Sequence, residues 1–206
     1  MSKEILLFPF SLIVRPFSGY WDLKYEGKGN LKMAALIFFL VFISMIFQKQ
    51  YAGFIVNFAN PAYFNSLNEL MNLLLPFFLW CVANWSLTTL MDGEGKFTEI
   101  VMASAYALMP MFIIYIPNTI ISNFMTQEES VFYVFFNSAA MIWTAYLLFV
   151  GTMTVHQYTV KKTVVTILLT LLCMGFLLFL GLLFFSLIQQ MYSFFFTIYQ
   201  EFLFRN

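Results

Sequence analysis

The chain has 206 residues, 62% of them hydrophobic and 10% charged, with ten Lys and Arg balancing ten Asp and Glu. Soluble domains carry about 45–50% apolar and about 25% charged residues, so this much apolar surface exceeds what one small water-soluble core can hide. The composition excludes a disordered chain, a secreted disulfide scaffold and, with no basic stripe interleaved with aromatics, a nucleic-acid binder.

Residues 1–32 form a cytosolic or interfacial N-terminal arm. Its apolar stretch, 5–14, is interrupted by Pro9 and closed by Arg15-Pro16, where a signal peptide would need small residues. Phe8, Phe10, Phe17, Tyr20, Trp21 and Tyr25 are expected at headgroup level. A spanning helix needs about 20 apolar residues with few charges. Cutting the chain at its ionisable residues gives spans at about 33–48, 70–91, 100–122, 131–155 and 163–188. The first is short, but Lys32 and Lys49 at its ends can snorkel. Ser66 with Glu69, and Thr126 with Glu129, have capping-box spacing before the second and fourth spans. Asp92-Gly93-Glu94-Gly95 supplies glycines where the second helix should stop.

The last charge-free run, 163–200, is roughly 57 Å as a helix, too long for a hydrocarbon core of about 30 Å. The spacing predicts a break at Gln189-Gln190 and a C-terminal interfacial helix over 189–206. Met191, Phe194, Phe195, Ile198 and Phe202 line one of its sides; Gln190, Ser193, Thr197 and Gln200 line the other. A bent continuation of the fifth helix is the alternative. The expected fold is therefore all-α: a single-domain integral membrane bundle of five transmembrane helices (33–188), with an interfacial N-terminal arm and a C-terminal amphipathic helix.

Charge sets an expected orientation. With the N-terminus in the cytoplasm, Lys3, Arg15, Lys24, Lys28, Lys32, Lys96, Lys161 and Lys162 lie inside, and only Lys49 and Arg205 outside. Five spans then place the C-terminus on the extracytoplasmic side.

Several motifs resemble prokaryotic members of the Yip-domain (Ypt-interacting protein) family. They are Arg15-Pro16-Phe17-Ser18-Gly19-Tyr20-Trp21-Asp22-Leu23-Lys24-Tyr25-Glu26, Ala83-Asn84-Trp85-Ser86-Leu87-Thr88-Thr89-Leu90-Met91-Asp92-Gly93-Glu94-Gly95, Ala105-Tyr106-Ala107-Leu108-Met109-Pro110, Val155-His156-Gln157-Tyr158 and Tyr199-Gln200-Glu201-Phe202-Leu203-Phe204-Arg205. They run in the expected order from about Arg15 to Arg205. The resemblance implies a five-helix bundle with a cytosolic N-terminus and no known catalytic residues. Eukaryotic relatives act in vesicle traffic and bind Rab-type small GTPases, largely through a long polar N-terminal region. Only about 32 residues precede the first span here, which puts small-GTPase binding in doubt and points to a bacterial member in the plasma membrane. Some bacterial relatives accompany ABC-type transport systems, so the resemblance also implies an accessory role beside transporter subunits.

Catalytic chemistry has little to draw on. The chain holds one histidine, His156, and no phosphate-cradling loop or nucleophile elbow. Cys81 and Cys173 lie in apolar runs and read as small buried hydrophobes, and no cofactor or metal site is expected. Two clusters remain. In the third span, Pro110 and Pro117 free the carbonyls of Tyr106 and Ile113, and Asn84 or Thr144 is placed to hydrogen-bond into that kink. A kinked packing helix is the simpler reading; a cavity is the other. At the loops, Asp92, Glu94 and Glu99 on one turn share a membrane surface with His156, Lys161 and Lys162 on another. These are solvated loop charges or a docking patch. The expected function is a non-enzymatic membrane organiser or accessory subunit, touching lipids and other integral membrane proteins. The alternative is a carrier or pore for a neutral or lipidic solute at Pro110 and Pro117.

Overall fold

The computed structural model describes residues 3–57 and 64–204. Arg205 and Asn206 lie outside the described residues, as do the side chains of Lys3, Ile5 and Phe202. The described residues form α1 (Lys3–Val14), α2 (Pro16–Tyr25), α3 (Leu31–Tyr51), α4 (Ser66–Leu90), α5 (Phe97–Ala107), α6 (Met109–Ser122), α7 (Ser130–His156) and α8 (Val160–Phe204), with no strand among them. Five stretches are long and apolar enough to cross a membrane: α3, α4, α5 with α6, α7, and α8 as far as Glu201. The all-α five-span bundle expected from the sequence is the fold observed. The turns after α4 and α7 lie with the arm at one end of the bundle, joined by the Tyr158 hydroxyl donating to Met91 O at 2.9 Å. At the far end, the Asn123 amide donates to Tyr51 O at 2.9 Å.

The third span is the centre. Its most apolar window is 56% buried, against 28% for α3, α4 and α7 and 6% for α8. Small residues explain this position, because Ala103, Ala105 and Ala107 let neighbouring backbones approach closely. The span is jointed. Leu108 leaves the regular helix just before Pro110, which has no N–H to donate. Instead the Leu108 N–H donates to Ala105 O at 3.2 Å, and the Met111 N–H to Leu108 O at 3.0 Å, tightening the joint. Pro117, inside α6, causes no break.

Four local expectations are corrected. First, α8 runs unbroken through Gln189-Gln190 to Phe204, so the described part of the expected 189–206 helix continues the fifth span, as in the alternative reading. Glutamine is a good helix former, and the Gln190 amide donates to Ser186 Oγ at 3.3 Å, one turn back. Second, the cap before α4 is Asn65, not Ser66: its Oδ1 accepts from the Leu67 N–H at 2.9 Å. Third, Glu129 Oε2 accepts from the Thr126 N–H at 2.9 Å, but it closes a turn ahead of α7 instead of sitting inside the helix. Fourth, the left-handed residue after α4 is Asp92, with φ 53, and not a glycine.

The arm departs most from expectation. It folds as two helices, and only part of its aromatic set faces outward. Phe10, Phe17, Trp21 and Tyr25 are exposed, whereas Phe8, Leu12 and Tyr20 enter the core. Gly19 permits the crossing of α1 and α2, since a Cβ there would lie 2.8 Å from Leu12 Cα. Tyr20 is fully buried against Gly151 of α7, where a Cβ would come 3.0 Å from its ring. Its hydroxyl donates to Ala103 O at 3.4 Å. Periodicity alone cannot distinguish an aromatic facing headgroups from one facing a glycine on another helix. We predict that Tyr20→Ala lowers stability in detergent by about 3 kcal/mol, read by thermal unfolding. Tyr20→Phe should cost far less, because the hydrogen bond it removes is long.

Candidate functional site

The two clusters anticipated from the sequence meet, but through different partners. Asn84 lies on the buried face of α4 with Cys81, Ala83 and Thr88. His156 is the last residue of α7, buried with Val155. The Gly95 N–H donates to His156 Nδ1 at 3.3 Å. That leaves Nε2 to carry the ring proton, which it donates to Asn84 Oδ1 at 3.0 Å. His156 is thus held as a neutral ring bridging the second and fourth spans. The glycines of the α4–α5 turn exist for this ring: a Cβ on Gly93 would lie 2.7 Å from its Nδ1, and one on Gly95 2.6 Å from its Cε1.

Tyr158 completes the clasp. It stacks on His156 with ring centroids 5.4 Å apart while its hydroxyl holds Met91 O. Burial, and then the charge of Asp92, raise the Tyr158 phenol above its ordinary pKa, so it remains a donor. The arm joins here. Lys24 Nζ donates to Val155 O at 2.7 Å, near the C-terminal end of α7 where a cation is favoured, and pairs with Glu94 at 3.3 Å. The Gln157 amide, on a left-handed residue, donates to the Tyr25 hydroxyl. A cavity of about 10 Å³, room for one water, is lined by Asn84, Ser104, Thr152 and His156 among others. Asn84 Nδ2 has no hydrogen-bond partner among the described residues.

The remaining candidate residues are placed as follows. Neither Asn84 nor Thr144 bonds into the proline kink: Asn84 is turned to His156, and Thr144 Oγ1 has no partner among the described residues. The kink closes by its own backbone bonds, so it offers the amide nothing. Tyr106 is fully buried, edge-on to Phe8 at 5.7 Å. Pro110 is buried, whereas Pro117 and Ile113 are exposed, so these three line no shared cavity. In the loop cluster, no ion pair among the described residues links Asp92, Glu94 or Glu99 to Lys161 or Lys162. Glu94 takes Lys24 instead; Glu99 Oε2 accepts from the Lys96 N–H at 3.1 Å; Lys162 sits 4.2 Å over the Tyr158 ring. His156 is buried and cannot belong to a surface patch.

Sequence reasoning missed a second polar cluster toward the far end. Gln48 of α3 and Asn118 of α6 both donate to Asn137 Oδ1 of α7, each at 3.0 Å. Asn118 also donates to Tyr133 O at 3.0 Å. The signal was present, since amides within apolar spans are rare and need partners. Lys24 was counted only as a topogenic charge, and nothing local marks it as a reader of α7.

Five apolar spans, in which buried hydroxyls are answered within their own helices and Asn84, His156 and Asn118 across helices, define a polytopic integral membrane protein. The Yip1 domain matches the chain over residues 10–183, from within α1 to the middle of α8 and so across the arm, the clasp and the central span. The chain belongs to the Yip1 family, as the motif resemblance implied. No curated protein and no solved structure matches it.

Removing Asn84 and His156 singly and together, as alanine variants, should reveal a coupling of roughly 0.6–1.7 kcal/mol in detergent unfolding. Additive effects would mean that the bond contributes nothing. Gly95→Ala should destabilise by displacing the same ring, and the loss should shrink in a His156→Ala background.

Proposed function

We propose that this Yip1-family protein is a non-enzymatic membrane organiser, an accessory or scaffold subunit that works through lateral contacts with other integral membrane proteins. The observation that carries this reading is α8. Its 45 residues extend about 67 Å, more than twice a hydrocarbon core of about 30 Å. Only its first turns are buried, through Thr163, Thr166 and Thr170. Beyond them Phe176, Phe179, Leu183 and Phe185 are all exposed, leaving a long apolar flank free for neighbours. The closed packing of the interior supports the same reading over a carrier, because the cavity between the second, third and fourth spans amounts to about 10 Å³.

In this reading the arm end faces the cytosol of a bacterial cell, in keeping with the crowding of Lys and Arg there, and the far end faces outward. A transporter subunit is the kind of partner that the flank of α8 suits. Small-GTPase binding draws no support from Tyr20 and Lys24 of the arm, which are engaged within the bundle.

Photo-crosslinking residues placed at Phe179 and Leu183 should capture the same integral membrane protein in native membranes. The same probe at Val134, an exposed position on α7, should not capture it. Adducts with lipid alone at both α8 positions, together with solute flux through the purified protein in vesicles, would defeat the organiser and favour a carrier.

A further inference from the structure

The small cavity beneath the clasp is bounded by three spans at one depth. Asn84 lies six residues before the end of α4, Ser104 seven residues into α5 and Thr152 four residues before the end of α7. At 1.5 Å per residue these are roughly 9, 10 and 6 Å from the arm end of the bundle, so the three side chains share one layer. All three are buried, Asn84 to 1% exposure. Tyr20 closes the side toward the arm. Its ring abuts Gly151 and its hydroxyl donates to Ala103 O, and both residues line the cavity.

The hydrogen bonds of this layer leave an unequal remainder. Asn84 Oδ1 takes the His156 proton, but its Nδ2 finds no acceptor among the described residues. Thr152 donates its own proton to Leu148 O at 2.8 Å, which leaves the lone pairs of its oxygen free. Ser104 Oγ accepts from the Trp80 indole at 3.1 Å and can accept once more. One buried donor therefore faces two hydroxyls with room to accept, and neither hydroxyl reaches it directly. Volume and polarity together select the occupant. About 10 Å³ admits one water-sized body and no organic solute. A sodium ion is repelled by the amide protons of Nδ2, and an anion gains nothing from Thr152, whose proton is already given to Leu148. Water accepts one bond and donates two, which is the complement of what the layer offers.

We infer that the cavity is the site of one structural water, which accepts from Asn84 Nδ2 and donates to Thr152 Oγ1 and Ser104 Oγ. Three bonds are the usual number for a buried water, and lipid supplies none of them. The water carries the clasp one layer inward. His156 joins the fourth span to the second directly, and the water brings in the central third span through Ser104. The site lies apart from the α8 flank, so each of the two readings can fail without the other.

Solid-state NMR of the full chain in lipid bilayers, isotope-labelled at the asparagine side-chain amides, tests the site. Magnetisation passed from water should reach the Asn84 amide, identified as the resonance missing from Asn84→Ala, although that amide is buried. Thr152→Val, close in shape but without an acceptor, should cut this transfer about threefold or more, and Thr152→Ser should keep it. Detergent unfolding gives an independent reading, because Asn84 and Thr152 share no direct bond. Thr152→Val should lower the folded-to-unfolded ratio about fivefold in the parent and less than about twofold in Asn84→Ala. No transfer to Asn84 in the parent overturns the water, whether or not any variant folds. So does unchanged transfer in folded Thr152→Val, or an equal loss of stability in both backgrounds.

Discussion

Lipid offers no hydrogen bonds, and the polar groups of this bundle are arranged around that fact. The neutral ring of His156 shows how. One nitrogen is answered by a backbone N–H of the α4–α5 turn and the other by Asn84 on α4, so the end of the fourth span is fixed both to the second span and to the turn that follows it. Glycines at 93 and 95 leave the space that the ring fills. The far end repeats the logic with amides, Gln48 and Asn118 both answering to Asn137. Two polar clusters, one toward each end of an otherwise apolar bundle, fix the register of helices that apolar contacts alone would allow to slide.

The arm follows from the same packing. The last turns of α7 present the Val155 carbonyl and a dent at Gly151, and the α4–α5 turn presents the Glu94 carboxylate; Lys24 takes the first and last, Tyr20 fills the dent, and the Tyr25 hydroxyl accepts from Gln157. Once α2 is docked on α7, α1 must fold back across it at Gly19, and the joint between them brings Arg15 out toward lipid. A charged residue among exposed phenylalanines and valine accompanies the burial of Tyr20.

Legibility in the sequence followed the range of the interaction. Long uncharged runs marked five spanning stretches, because hydrophobic length is a local property, but they did not show where the last helix ends. Caps were read less well: Asn65 and Ser66 are both good N-caps, and only backbone geometry chose between them. Asn84 was singled out correctly as a polar group in a span, but its partner was sought at the proline joint, which satisfies itself. His156 was placed among loop charges, since nothing nearby in sequence reveals the two glycines, 61 and 63 positions earlier, that enclose it. Lys24 meets Val155 across 131 positions, a separation that no motif spans.

Composition and charge spacing by themselves determined that this is an all-α membrane bundle of five spans, since the cost of placing ionisable groups in hydrocarbon is paid residue by residue. Tertiary structure decided which polar groups meet, that the arm is part of the bundle, and that the last helix continues unbroken past its glutamines. Those outcomes depend on shape complementarity between segments far apart in the chain, where a missing Cβ on one helix makes room for a ring on another.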